Sequence, residues 1–297
     1  MTTPATPRDL APRNWRREDL QRRGLPRYAA DDLDGIRAEL RDGAGFVLVQ
    51  GLLADSDAAA DAADAAIQLR RFGERLGRLL PQNARQETLV EIADFSDEDA
   101  FDDRGYRSPG ELQPHTDPPP LIALLCLRPA RQGGANRLVS AASIREAIRD
   151  RQADALPLLE AGLPFFMPDE ETPGGGEVKP ALPILLDGPD GLSCVYYRPF
   201  IERAVAAGAR LPDGATAALD LFDRCATDPA LQVEHSLTAG EALILNNYRV
   251  LHARDDYEDW PEKAKRRRLL RLWLDADWLP EPPAAHAGRR NPMAAML

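Results

Sequence analysis

The chain has 297 residues, 44% of them hydrophobic, enough to bury a sizeable core in one large domain or two small ones. A formal net charge of −11 excludes a general nucleic-acid binder, which needs a basic surface to neutralise phosphates, while leaving room for a local basic pocket. Cys126, Cys194 and Cys225 are odd in number and far apart, which excludes a disulfide framework and a zinc ribbon. The first residues, MTTPATPRDL, lack the apolar region of a secretory signal, and the longest apolar run, Leu121–Leu127, is far too short to span a bilayer. The expectation is a protein of a reducing cytoplasm that meets a small molecule, not nucleic acid or membrane.

In chain order, Asp31 or Asp32 caps a helix carrying Leu33, Ile36 and Leu40 on one face and stopped by Gly43. Phe46–Val49 reads as a short buried strand ended by Gly51. Residues 56–80 are Ala-rich, with Phe72, Leu76 and Leu79 at helical spacing. Short apolar runs follow, separated by Pro, Gly and Asp: 88–92, 121–127, 137–140, 164–167, 181–186, 192–197, 232–236, 242–245 and 269–274. Helical stretches near 141–162 and 213–227 interrupt them. This punctuation predicts a mainly β fold, a sandwich, jelly roll or barrel with helical insertions. The acidic stretch Asp94–Arg107 reads as a loop, and the Pro- and Ala-rich tail after Leu279 as extended.

The chemistry starts at residues 112–120, Leu-Gln-Pro-His-Thr-Asp-Pro-Pro-Pro. On a strand, residues i and i+2 share a face, so His115 and Asp117 project together. One imidazole plus one carboxylate is two-thirds of the facial triad that suits non-haem Fe(II). The third ligand is to be sought among His235, His252 and His286. His286 lies in the tail, and His235 reads as a solvent-facing strand residue. His252 follows an apolar strand and a turn, a rigid place for a ligand. A surface or turn role for His115 is the plain alternative. Near the C-terminus, RRRLLRLWLD spans 266–275. Arg271 is surrounded by Leu269, Leu270, Leu272, Trp273 and Leu274, and an unpaired charge there is costly. Strand periodicity puts Arg267 on the same face. The pair either meets internal carboxylates or forms a seat for an anionic ligand.

The ordered set "PHTD" at 114–117, "LLCLRPARQGGANRLVSA" at 124–141, "GEALILNNYRVLHARDDY" at 240–257 and "RRLLRLWLD" at 267–275 resembles the Fe(II)- and 2-oxoglutarate-dependent taurine dioxygenase (TauD/TfdA) family. "GFVLVQGL" at 45–52 resembles the family's early strand, and the likeness covers roughly residues 40–280. It implies one dioxygenase domain, 1–297, with a double-stranded β-helix (jelly-roll, cupin-like) core. It also implies that His115, Asp117 and His252 are the catalytic iron ligands. Arg267, fifteen residues after His252, matches the arginine that clamps the distal carboxylate of 2-oxoglutarate. A Thr two residues after the Gly-Gly usually assists that clamp. Here Asn136 follows Gly133-Gly134-Ala135 instead, and its amide can donate the same bond. Arg271 matches the arginine that holds an acidic group of the primary substrate in several members, with a structural ion pair as the alternative. Arg198 and Asn83 fall where members place substrate-pocket residues, though a surface or loop role is open for both. Asn247 and Arg249 are read as turn or strand-pairing residues as readily as pocket residues.

The implied reaction takes 2-oxoglutarate and O2 to succinate and CO2 while oxidising a substrate C–H by hydroxylation, desaturation or cyclisation. Asp117 argues against a halogenase, whose members replace the carboxylate ligand. A zinc hydrolase using the same ligands leaves the arginine pair unexplained. A catalytically silent β-helix protein that binds a small acid would keep the arginines without needing all three ligands. Asp102 and Asp103 in the acidic loop suggest a lid for a cationic substrate portion. Homo-oligomerisation stays open, because no heptad or long apolar helix marks an interface.

Overall fold

Three strands read as continuous apolar runs because both of their faces are buried. In Leu121–Arg128, Ile122, Leu124 and Cys126 point into one core, while Leu121, Ala123, Leu125 and Leu127 point into another. Ala242–Asn246 and Arg268–Asp275 divide in the same way: Leu243, Leu245, Leu269 and Trp273 go to the first core, Ile244, Leu270, Leu272 and Leu274 to the second. Burying both faces removes the polar alternation that marks a half-exposed strand. In this computed structural model, which describes residues 10–53, 62–83, 85–95, 108–168 and 175–287, the three strands are the centre of a seven-stranded sheet.

The order in that sheet is Arg27–Ala29, Phe46–Gln50, Ala242–Asn246, Leu121–Arg128, Arg268–Asp275 and Arg78–Leu80, with Leu89–Ile92 also paired to Arg268–Asp275. All pairs are antiparallel except the first. Helices Leu33–Asp42 and Ala62–Leu76 cover its outer face with Ile36, Leu40, Leu69, Phe72 and Leu76. Asp32 caps the first of them through the Gly35 N–H.

The inner face packs against a four-stranded antiparallel sheet, Val233–His235, Asn136–Ser140, Val250–Arg254 and Leu112–His115. Leu138, Val233 and Val250 supply its side of the shared core. A third core lies among helices Ala141–Gln152, Leu156–Ala161 and Ala215–Ala226. The protein is thus mainly β with flanking helices. No described helix is long and apolar enough to cross a membrane.

Four local expectations need correction. The run at 181–186 is two strands, Gly176–Leu182 and Leu185–Gly188, because Pro183 between them has no N–H for a ladder. The run at 192–197 is a strand only as far as Cys194, and an unforeseen helix, Arg198–Ala206, follows it with Pro199 in its first turn. The tail is not wholly extended: Ala284–Ala287 is helical and His286 is fully buried. Its Nε2 donates to the Pro183 carbonyl (2.8 Å), leaving Nδ1 to accept from Ser193 Oγ (2.7 Å). His235 does not face solvent either, since its Nε2 meets the buried Glu241 carboxylate at 2.7 Å. The acidic stretch beyond Phe95, with Asp102 and Asp103, lies outside the described residues.

Candidate active site

Strand register places the two histidines. His115 is the last residue of Leu112–His115, and it stands directly opposite His252 across the antiparallel ladder. Their ring centroids are 4.3 Å apart. Asp117 reaches the same point by a different route from the one expected. The strand stops at His115, so a turn, not the pleat, brings the carboxylate round. That turn is held on both sides. Thr116 N–H donates to the Tyr196 carbonyl (2.9 Å), and Tyr196 N–H returns a bond to Thr116 Oγ1 (3.0 Å). Asn247, fully buried, accepts from the Asp117 N–H (3.2 Å) and donates to the Pro119 carbonyl (2.9 Å).

One ligand atom each of His115, Asp117 and His252 lies within 4.8 Å of the other two. Both imidazoles turn Nε2 to the carboxylate, at 3.9 Å for His115 and 4.0 Å for His252. His115 Nδ1 donates to the Gln113 carbonyl at 2.8 Å, which fixes the proton there and leaves the Nε2 lone pair facing inward. Burial, reinforced by His115 and Arg271 and opposed by Asp117, pulls the His252 pKa down to about 3. Its ring is therefore neutral near pH 7. Two imidazoles and a carboxylate, converging from a partly buried wall, fit a divalent first-row metal with open positions. The Tyr197 ring packs 5.4 Å from His115.

Arg271, on the last strand, and Arg267, just before that strand begins at Arg268, are both buried. Arg271 is nearly buried, and its Nη1 lies 3.5 Å from Asp117 Oδ2. The internal carboxylate it meets is thus that of the His–Asp–His cluster itself. Gln82 grips it from behind: Arg271 Nε donates to Gln82 Oε1 (2.7 Å), while Gln82 Nε2 donates to the carbonyls of Arg271 (2.9 Å) and Thr88 (3.0 Å). Arg267 is also buried, with its backbone N–H donating to the Asp259 carboxylate. The Gly-Gly turn lies against it. A Cβ on Gly133 would sit 2.4 Å from the Asp256 carbonyl, and one on Gly134 would sit 3.3 Å from Tyr257 Cβ and 3.5 Å from Arg267 Nε. Positive φ at both positions adds to the need for glycine.

Other candidates are placed elsewhere or engaged otherwise. Asn136 is buried beside Arg267 in a small cavity shared with Cys126, Gly133, Gly134 and Leu269, but its Nδ2 points to the His235 carbonyl at 3.4 Å. Asn83 closes its own loop, accepting from Arg85 N–H and Glu87 N–H and donating to Glu87 Oε2. Arg198 pairs with Glu202, Asp220 and Asp223, the last of which also receives the Tyr196 hydroxyl. Among the described residues, neither Asn83 nor Arg198 hydrogen-bonds or ion-pairs with the His–Asp–His cluster. Gln82, Asn247 and Tyr257 carry the contacts that sequence reasoning missed or left undecided.

The sequence model of a family described as taurine catabolism dioxygenase TauD, TfdA family matches residues 7–273. FR-33289 synthase of Streptomyces rubellomurinus is 29% identical over 268 residues, 87% of this chain and 77% of that protein. A uridine-5'-phosphate dioxygenase of an Amycolatopsis species is 28% identical over 153 residues, 52% of this chain and 54% of that protein. Among solved structures, asparagine oxygenase in complex with Fe(II), 2S,3S-3-hydroxyasparagine and succinate superposes with a TM-score of 0.61 at 20% identity, covering 82% of this chain and 78% of that one. The non-heme iron oxygenase OrfP in complex with Fe and alpha-ketoglutaric acid superposes at 0.59 and 16% identity, covering 82% and 79%.

Proposed function

The chain belongs to the TauD/TfdA family and is a non-haem iron, 2-oxoglutarate-dependent dioxygenase; from that premise we propose that His115, Asp117 and His252 hold Fe(II) and that Arg267 anchors 2-oxoglutarate. The carrying observation is the convergence of two imidazole Nε2 atoms on one carboxylate, with Arg271 beside it and Arg267 buried just before the same strand begins. The whole chain acts as a single catalytic domain with a double-stranded β-helix core, in the cytoplasm. The substrate is a small molecule bearing an anionic group.

The bound metal and 2-oxoglutarate supply the oxidation of a substrate C–H, with conversion of 2-oxoglutarate and O2 to succinate and CO2. The chain's own residues orient and enclose the reactants. His115 presents its Nε2 lone pair because Gln113 occupies Nδ1. Asn247 and Thr116 fix the turn that aims Asp117. Gln82 uses up the Nε donor of Arg271 and so turns the remaining guanidinium N–H groups towards the cluster. A guanidinium there suits a carboxylate, sulfonate or phosphate. One relative's name, uridine-5'-phosphate dioxygenase, also points to a phosphate-bearing substrate. Leu124, Leu138, Leu269 and Trp273 belong to the apolar core between the two sheets, and an apolar surround of that kind excludes water.

The test is an anaerobic titration of the apoprotein with Fe(II) and then 2-oxoglutarate, followed by the visible charge-transfer band of a chelated keto acid. The band is expected in the wild type and absent in His115→Ala. A wild type that gives no band and binds no 2-oxoglutarate overturns these assignments.

A further inference from the structure

Tyr257 opens a second question about the co-substrate seat. Its side chain is buried, and no hydrogen bond of acceptable geometry reaches its hydroxyl among the described residues. The guanidinium carbons of Arg254 and Arg267 each lie 5.0 Å from its ring centroid. Arg267 Nη1 and Arg254 Nε are likewise buried with no hydrogen-bond partner. Arg254 directs Nη2 to the carbonyls of Ser108 and Gly110, and neither arginine is ion-paired to a carboxylate among the described residues.

Three buried polar atoms without a well-formed hydrogen bond, on the Tyr257 phenol and on the two arginines that flank its ring, are unusual in a protein interior, where nearly all buried polar groups are paired. Together they ask for an anion with several acceptor lone pairs. Asn136, the residue whose amide was expected to assist Arg267, has its Nδ2 directed to the His235 carbonyl. Burial raises the Tyr257 pKa, against the lowering influence of the two arginines, so the phenol keeps its proton and acts as a donor.

We propose that the Tyr257 hydroxyl donates a hydrogen bond to the distal carboxylate of 2-oxoglutarate held by Arg267, with Arg254 adding positive charge behind it. This rests on the assignment of Arg267 to that carboxylate. It makes Tyr257 a residue that selects a keto acid with a second carboxylate over one without it.

The experiment compares wild type and Tyr257→Phe, loaded with Fe(II) under anaerobic conditions, in titrations of the charge-transfer band with 2-oxoglutarate and with 2-oxobutyrate, which lacks the distal carboxylate. Loss of one hydrogen bond to a charged group predicts an increase of about tenfold or more in the Kd for 2-oxoglutarate. The Kd for 2-oxobutyrate should stay within about twofold. Because the hydroxyl makes no well-formed hydrogen bond within the protein, the melting temperature of apo Tyr257→Phe should match or exceed that of the wild type. An unchanged 2-oxoglutarate Kd, an equal loss for both keto acids, or a lower apo melting temperature would each overturn the proposal. If the wild type binds neither acid, the iron and co-substrate assignments fail first, which is a distinct result.

Discussion

Replacing Gln82 with Leu tests how the anion-facing arginine is held. The substitution nearly conserves volume, so it leaves little cavity. It does strip three buried groups of their partners: Arg271 Nε, the Arg271 carbonyl and the Thr88 carbonyl. An orphaned buried polar group costs about 1–3 kcal/mol. Taking the low end for each, because the backbone can relax, gives a loss of about 3 kcal/mol. For a chain of this size that lowers the melting temperature by about 6 °C. The neighbouring Asn83→Ala removes only contacts within the 83–87 loop and should cost about 1 kcal/mol or less. Calorimetry on both variants, completed as a double-mutant cycle with Arg271→Met, should give a Gln82–Arg271 coupling of about 1 kcal/mol or more. If Gln82→Leu melts within about 2 °C of the wild type, or Asn83→Ala falls as far, the grip on Arg271 has been misjudged.

Arg267→Ala should weaken 2-oxoglutarate binding at least about 100-fold, as expected for loss of a buried charge pair, when measured by calorimetric titration of the iron-loaded protein. Arg198→Ala should lower stability by no more than about 1 kcal/mol, since its ion pairs are partly exposed, and should leave 2-oxoglutarate affinity unchanged in the same titration. Burial alone would raise the Glu241 pKa, but the His235 hydrogen bond and charge, the Thr238 N–H and Arg27 outweigh it and hold the carboxyl low. A carboxyl depressed on folding stabilises above its unfolded pKa and loses that contribution as pH falls through its folded pKa. Melting temperature should therefore fall as pH drops below about 4.5, and fall less steeply in Glu241→Gln.

What could be read in the sequence was set by local periodicity. The continuous apolar runs located the three central strands, and a period of two grouped Arg267 with Arg271, although the strand begins only at Arg268 and its register shifts between Arg268 and Leu269. The HxD pair was legible as chemistry, though the geometry that joins its members is a turn, not a pleat. What escaped depends on partners distant in the chain. Gln82 meets Arg271 across 189 positions, and Asn247 meets Asp117 across 130. Nothing in "LLPQNAR" separates the glutamine that reaches the last strand from the asparagine that closes its own loop. His235 was misplaced for the same reason, and the ion pairs of Arg198 were as hard to foresee, because their carboxylate partners come from the turn after Thr238 and from the Ala215–Ala226 helix. The Gly-Gly turn marked the right neighbourhood but not Tyr257, whose importance lies in its two cationic neighbours.

The strand that carries His115 is only four residues long, lies at the rim of its sheet, and pairs with the His252 strand alone. Short rim strands are the first parts of a sheet to fray. An ion gripped by both histidines is a rivet through that seam, and its binding energy adds directly to the free energy needed to peel the strand away. Held as proposed by both histidines, iron would serve the enzyme as fastener as well as reagent. Without it the seam would loosen at the proposed centre, and the amides of Leu112–His115 would report whether the metal is in place.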